Sequence, residues 1–194
     1  MLDTPHYYST VGGIGAHLFR HLLHIAIIII PFLYYSYSIS VARFLGLSLH
    51  SLLLVIIAIV ILFEIVHLRR KWVLWGQRKR EGRMVFSFAW TVISFCMILL
   101  LALGKQYAIP IIASCSLVDP LLGELRHTRL GHNVDFFLGV VVVMLIWWLA
   151  SSWFKIDSLL ALLMGPLAVM VEWRNFQWID DNALMMLIPL LVIF

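Results

Sequence analysis

The chain has 194 residues, 63% of them hydrophobic and 12% charged, with a net charge of +4 at pH 7 and a mean hydropathy of +1.00. A soluble domain carries about a quarter charged residues and somewhat under half apolar ones, so the composition excludes an ordinary soluble domain and places the chain in the membrane class. The pI near 9.3 does not point to nucleic acid, because the basic residues cluster in one loop between apolar runs, the pattern of cytoplasmic loops in polytopic membrane proteins.

Met1 to Gly15 is polar and has no basic stretch leading into a cleavable apolar run. No removable signal peptide is expected, and the first apolar run is retained. Crossing a hydrocarbon core takes about 20 apolar residues per helix. The candidate runs are Leu22–Ile39, Leu45–Val66, Val85–Leu103, Ala108–Leu125, Phe136–Trp153, Leu159–Val171 and Ala183–Phe194, the last two short by that measure. The expected fold is all-α: a polytopic transmembrane helix bundle of about six or seven spans, forming one integral membrane domain over 1–194. Cys96 and Cys115 lie in or beside apolar runs and are expected as buried free thiols.

Orientation follows from the basic residues. Arg69, Arg70, Lys71, Arg78, Lys79, Arg80 and Arg83 are half of the 14 Lys and Arg, so their loop is expected in the cytoplasm. Threading the chain from it brings the N-terminus and the connections after Arg126 and Glu172 to the same side. Arg20, His24, Glu64, Arg69, Arg70, Asp119, Glu124, Arg126, Glu172, Asp180 and Asp181 then gather at one membrane face. Ionisable groups inside or at the ends of apolar helices are costly and usually face a bundle interior or an aqueous cavity. A convergent set of acids and bases is therefore expected to be a site.

His17, Arg20, His21 and His24 fall on one helical face by their spacing. Three uses are open: a cationic patch on lipid headgroups, a phosphate contact, or zinc. Zinc needs more ligands than a pair, and no third one stands at metalloprotease spacing. Glu64, His67 and Lys71 share the next face; positive-inside topology and headgroup binding account for the Arg78–Arg83 cluster and poorly for Glu64. Trp72 and Trp75 read as interfacial residues. Asp119-Pro120 is expected to break its helix and free backbone groups, as membrane proteins tolerate at cavities; Asp119 is a candidate metal ligand or general base, or simply a helix-end carboxylate. Glu172 and Asp180-Asp181-Asn182 offer oxygens suited to Mg²⁺, with helix N-capping by Asp181 or Asn182 as the competing role.

Together these segments resemble the polytopic lipid-alcohol kinases related to dolichol kinase, phytol kinase and the CTP-dependent diacylglycerol kinases. Glu172, Asp180-Asp181-Asn182 and Pro189 are similar to that family's Glu, Asp-Asp-Asn and Pro segment. Arg20 and His24 match its first-helix Arg-Lys-x-x-His element, with His21 in place of Lys. Glu64 and Arg69, followed by Lys79-Arg80-Glu81, resemble its second-helix element, and Asp119-Pro120 resembles its Gly-Asp element with Val118 in place of glycine. The loop after Glu124 is shorter than the family's, and only Thr128 and Gly131 fit its Lys-Thr-x-Glu-Gly-Ser motif.

The resemblance implies Mg²⁺-dependent phosphoryl transfer from a nucleoside triphosphate, CTP by analogy, to the hydroxyl of a polyprenol, phytol or diacylglycerol at the cytoplasmic leaflet. It implies Asp119, Asp180 and Asp181 as metal ligands, with Asp119 or Glu172 taking the alcohol proton. Arg20, Arg69, Arg70 and Arg126 would hold phosphates, aided by His24, Glu64 and Thr128, and Asn182 would orient a ligand or the substrate. The bilayer is a partner, self-association is open, and nucleic acid is not expected. Two alternatives stand beside it: cytidylyl transfer to a lipid phosphate, and a transporter or non-enzymatic scaffold, the transporter without the inverted repeats it favours.

Overall fold

The computed structural model of the chain describes residues 11–73, 75, 85, 87–101, 104–125, 132–173 and 179–194, with backbone only for His132 and Trp173. Among the described residues the fold is all-helical: α1 Gly13–Ile27, α2 Ile29–Phe44, α3 Leu49–Arg70, α4 Ser87–Leu101, α5 Lys105–Leu125, α6 His132–Phe154, α7 Leu159–Trp173 and α8 Asp181–Ile193. By length and composition α3, α5 and α6 can each cross a membrane.

The first expected span, Leu22–Ile39, is instead two helices. α1 and α2 meet at a bend of 50° and together could make a fourth crossing. Pro31 in the first turn of α2 explains the break. A continuous helix would need its missing N–H to bond the Ile27 carbonyl, and its ring would clash there. The chain instead tightens, with Ile28 N–H donating to the Ile25 carbonyl at 3.1 Å. α4, α7 and α8 are apolar but have 15, 15 and 13 residues, about 20–23 Å of helix against a hydrocarbon core of about 30 Å. α7 starts where Asp157 Oδ1 accepts from Leu159 N–H at 2.9 Å.

A second expectation is corrected at Asp119-Pro120. α5 runs unbroken through Pro110 and Pro120. A proline deletes one backbone bond and crowds one carbonyl, and a helix packed on every side absorbs that. α5 is such a helix: it packs against α1, α2, α4, α6, α7 and α8, and 67% of its apolar window is buried, against 11% for α3. The core around it includes Ile111, Ile112, Val118, Leu122, Trp147 and Met164.

α6 and α7 pack closely because Gly165 lets them. A Cβ there would lie 2.5 Å from Met144 Cγ and 3.0 Å from the Val140 carbonyl oxygen. The outside is apolar as well: Phe44, Trp153 and Leu191 are 89%, 79% and 73% exposed. An apolar exterior this extensive suits a lipid solvent and not water.

Candidate functional site

Ionisable residues of α1, α5, α7 and α8 meet at one end of the bundle. α1 lies antiparallel to α5, so rising numbers on one helix meet falling numbers on the other: His17 Nε2 is 2.9 Å from Glu124 Oε1, His21 Nδ1 is 3.6 Å from the same oxygen, and His24 Nδ1 is 3.5 Å from Asp119 Oδ2. The exit of α3 joins this end through Trp75, whose ring lies 5.1 Å from that of Phe19 on α1.

The centre of the site is a triad from three helices. One carboxylate oxygen each from Asp119 on α5, Glu172 on α7 and Asp181 on α8 lie within 4.8 Å of one another. Glu172 is buried, and Asp119 and Asp181 are partly so. Three carboxylates this close repel strongly at reduced dielectric. From α1, His24 touches Asp119, and the Arg20 guanidinium is near enough to His24 to act on it.

The donor set fits a hard divalent cation. Mg²⁺ takes oxygen ligands at about 2.0–2.1 Å, which sets opposite ligands about 4.1 Å apart, and it keeps positions for water and substrate phosphate. Adjacent oxygens of an octahedral Mg²⁺ stand about 2.9 Å apart, so three oxygens within 4.8 Å of one another would close in through changes of side-chain torsion to share one ion.

Asp180, expected beside Asp119 and Asp181 as a ligand, stands next to this triad and caps α8. Its Oδ1 accepts from Asn182 N–H at 3.1 Å. The same N–H also lies 3.1 Å from Asp181 Oδ1, so Asp180 holds the cap position and Asp181, in the first helical turn, shares its hydrogen bond. Burial, then the neighbouring Asp181 charge, pushes the Asp180 carboxyl up to about 7, against the pull of the Ser87 hydroxyl that donates to it. Asn182 is buried at 1% exposure, where Nδ2 donates to Ser87 Oγ at 3.2 Å and Oδ1 takes the Cys115 thiol at 3.5 Å.

The other described candidates lie on α3. Glu64 is buried on α3 with Oε1 3.1 Å from His67 Nδ1. Arg69 and Arg70 are exposed in the last turn of α3, and the Arg70 guanidinium sits 5.0 Å over the Trp72 ring, as at a membrane interface. Arg126, Thr128 and the Arg78–Arg83 cluster fall outside the described residues.

Ser87 and Asp135 have no counterpart in the expectations, and Glu124, expected at this face, makes a contact that has none. Ser87 is the hub joining α4 to α8. Asp135, in the first turn of α6, is 3% exposed, and its Oδ1 has no hydrogen-bond partner among the described residues; the helix N-terminus favours a carboxylate there. Glu124 supplies the third donor beside His17 and His21.

No protein-family model matches the chain, and neither a curated protein nor a solved structure is significantly similar to it.

Proposed function

We propose that the chain is a Mg²⁺-dependent lipid-alcohol kinase, which transfers a phosphoryl group from a nucleoside triphosphate, with CTP favoured by the resemblance, to the hydroxyl of a polyprenol, phytol or diacylglycerol. The observation that carries this is the Asp119–Glu172–Asp181 triad, flanked by His24 and Arg20, at one end of an apolar bundle. Phosphoryl transfer needs positioning and charge neutralisation more than covalent chemistry, and acids beside bases at a membrane face supply both.

Asp119, Glu172 and Asp181 would hold Mg²⁺, which would supply charge neutralisation at the phosphates. The chain's residues do the rest. Arg20, Arg69, Arg70 and Arg126 hold phosphates, with His24 beside Asp119. Glu172 or Asp119 accepts the alcohol proton as the lipid oxygen bonds to the terminal phosphorus and the nucleoside diphosphate leaves. Asp180 and Asn182 hold the first turn of α8, and with it Asp181, in place. The site faces the cytoplasm, and the short helices α4, α7 and α8 complete about six or seven crossings through local thinning of the bilayer and with their flanking residues. The lipid tail lies between helices, within reach of the bilayer.

The test is purified chain in lipid nanodiscs with γ-labelled CTP or ATP, Mg²⁺ and each lipid alcohol. The expected product is a labelled lipid phosphate plus nucleoside diphosphate. Release of pyrophosphate from CTP when a lipid phosphate is the acceptor would assign cytidylyl transfer instead, and no transfer to any of these lipids would remove the kinase assignment.

A further inference from the structure

We propose that His17, His21 and Glu124 form a second metal site, selective for a Zn²⁺-class ion and separate from the carboxylate triad. The two histidines stand four apart on α1, so their imidazoles share a face, with ring centroids 4.4 Å apart. Glu124 comes from α5, 107 residues from His17, and its Oε1 lies 2.9 Å and 3.6 Å from the two imidazole nitrogens. All three donor atoms are within 4.8 Å of one another. A tetrahedral Zn²⁺ with bonds of about 2.0–2.1 Å separates its ligands by about 3.3–3.4 Å, which the observed spacings bracket.

The ligand types decide which cation enters. Two imidazoles and one carboxylate suit a borderline ion such as Zn²⁺, whereas the all-oxygen triad of Asp119, Glu172 and Asp181 suits Mg²⁺. Access is open, since the side chains of His17, His21 and Glu124 are 23%, 22% and 57% exposed. Three protein ligands leave a fourth position for water or an anionic group. Because two ligands ride on α1 and one on α5, the ion clamps the bent first segment against the central helix. The same pair of helices is joined one turn further in by His24 and Asp119, so the clamp supports the neighbouring site without entering it.

Co²⁺ reports on such a site directly. Tag-free full chain in detergent, stripped with a chelator, is titrated with Co²⁺ alone and then with Zn²⁺. The expected result is one equivalent of Co²⁺ with the strong visible absorption of a tetrahedral ion, displaced by one equivalent of Zn²⁺ and not by millimolar Mg²⁺. H17Q, H21Q and E124Q each weaken binding by about 100-fold or more, beyond the 10–100-fold that a supporting partner is worth, while D119N and D181N leave it intact. Circular dichroism and gel filtration establish that each variant is folded, and exposed Glu124 gives the substitution least costly to the fold. No tetrahedral absorption, or absorption that survives E124Q in folded protein, overturns the site. A second readout is a rise in melting temperature with Zn²⁺ that E124Q abolishes.

Discussion

Asn182 Nδ2 donates to Ser87 Oγ at 3.2 Å across a sequence gap of 95 residues, and this bond sets the first turn of α8 against the first turn of α4. The same hydroxyl donates to Asp180, and the Cys115 thiol on α5 reaches Asn182 Oδ1. One buried amide therefore ties three helices together where Asp181 enters the triad. Buried polar networks of this kind are costly when half satisfied.

Asn182→Ala should lower stability by about 1–3 kcal/mol, the cost of stranding buried partners. Ser87→Ala should cost about as much, and the double variant less than the sum. Denaturant or thermal unfolding in detergent measures this. Additive losses would show that the two side chains act independently.

The triad should behave in the opposite sense. Asp119→Asn, Glu172→Gln and Asp181→Asn each remove one of three mutually repelling charges without changing shape. The metal-free protein should therefore melt at an equal or higher temperature, by about 1 kcal/mol of relieved repulsion. Mg²⁺ binding and phosphoryl transfer should fall by about 100-fold or more. A variant that loses stability along with activity would place that carboxylate in the scaffold.

How far these features could be read in the residues depended on their range. α3 stood out because its apolar run is uninterrupted, and the structure shifts it only from Leu45–Val66 to Leu49–Arg70, where Ser48 caps its start. Asp119, Glu172 and Asp181 were conspicuous because carboxylates bordering apolar helices are expensive. Pro31 was visible too, yet a hydropathy run counts it as neutral and hides the bend. Pro120 misled in the other direction, because local propensity carries no information about the six helices packed around α5. The Glu124 contact with His17 and His21 was out of reach, since it depends on the register of α1 against α5 and no local spacing encodes that.

Gly165→Ala tests the close approach of α6 and α7. Alanine is the better helix former by about 1 kcal/mol, so an open position would gain stability. Here the new Cβ meets Met144 Cγ, which can move, and the Val140 carbonyl oxygen at 3.0 Å, which cannot move without the helix. The variant should lose about 1–2 kcal/mol net. A raised melting temperature would mean the two helices separate freely.

Asp180 predicts a pH dependence whose sign follows from its environment. Burial and then the Asp181 charge raise its carboxyl from an ordinary value of 3.8 to about 7. Between those values the folded chain holds a proton that the unfolded chain has lost, so stability falls as pH rises. The contribution is fully present below about pH 4 and gone above about pH 7. Asp180→Asn isolates it, because asparagine caps a helix as well as aspartate does and can still accept from Asn182 N–H and Ser87, but does not titrate. Melting temperatures of the metal-free protein from pH 4 to pH 8 should show the wild type losing on the order of a few kcal/mol relative to Asp180→Asn. Curves that stay parallel across that range would mean Asp180 is ionised throughout, and that the cap, not its proton, is what it contributes to the site.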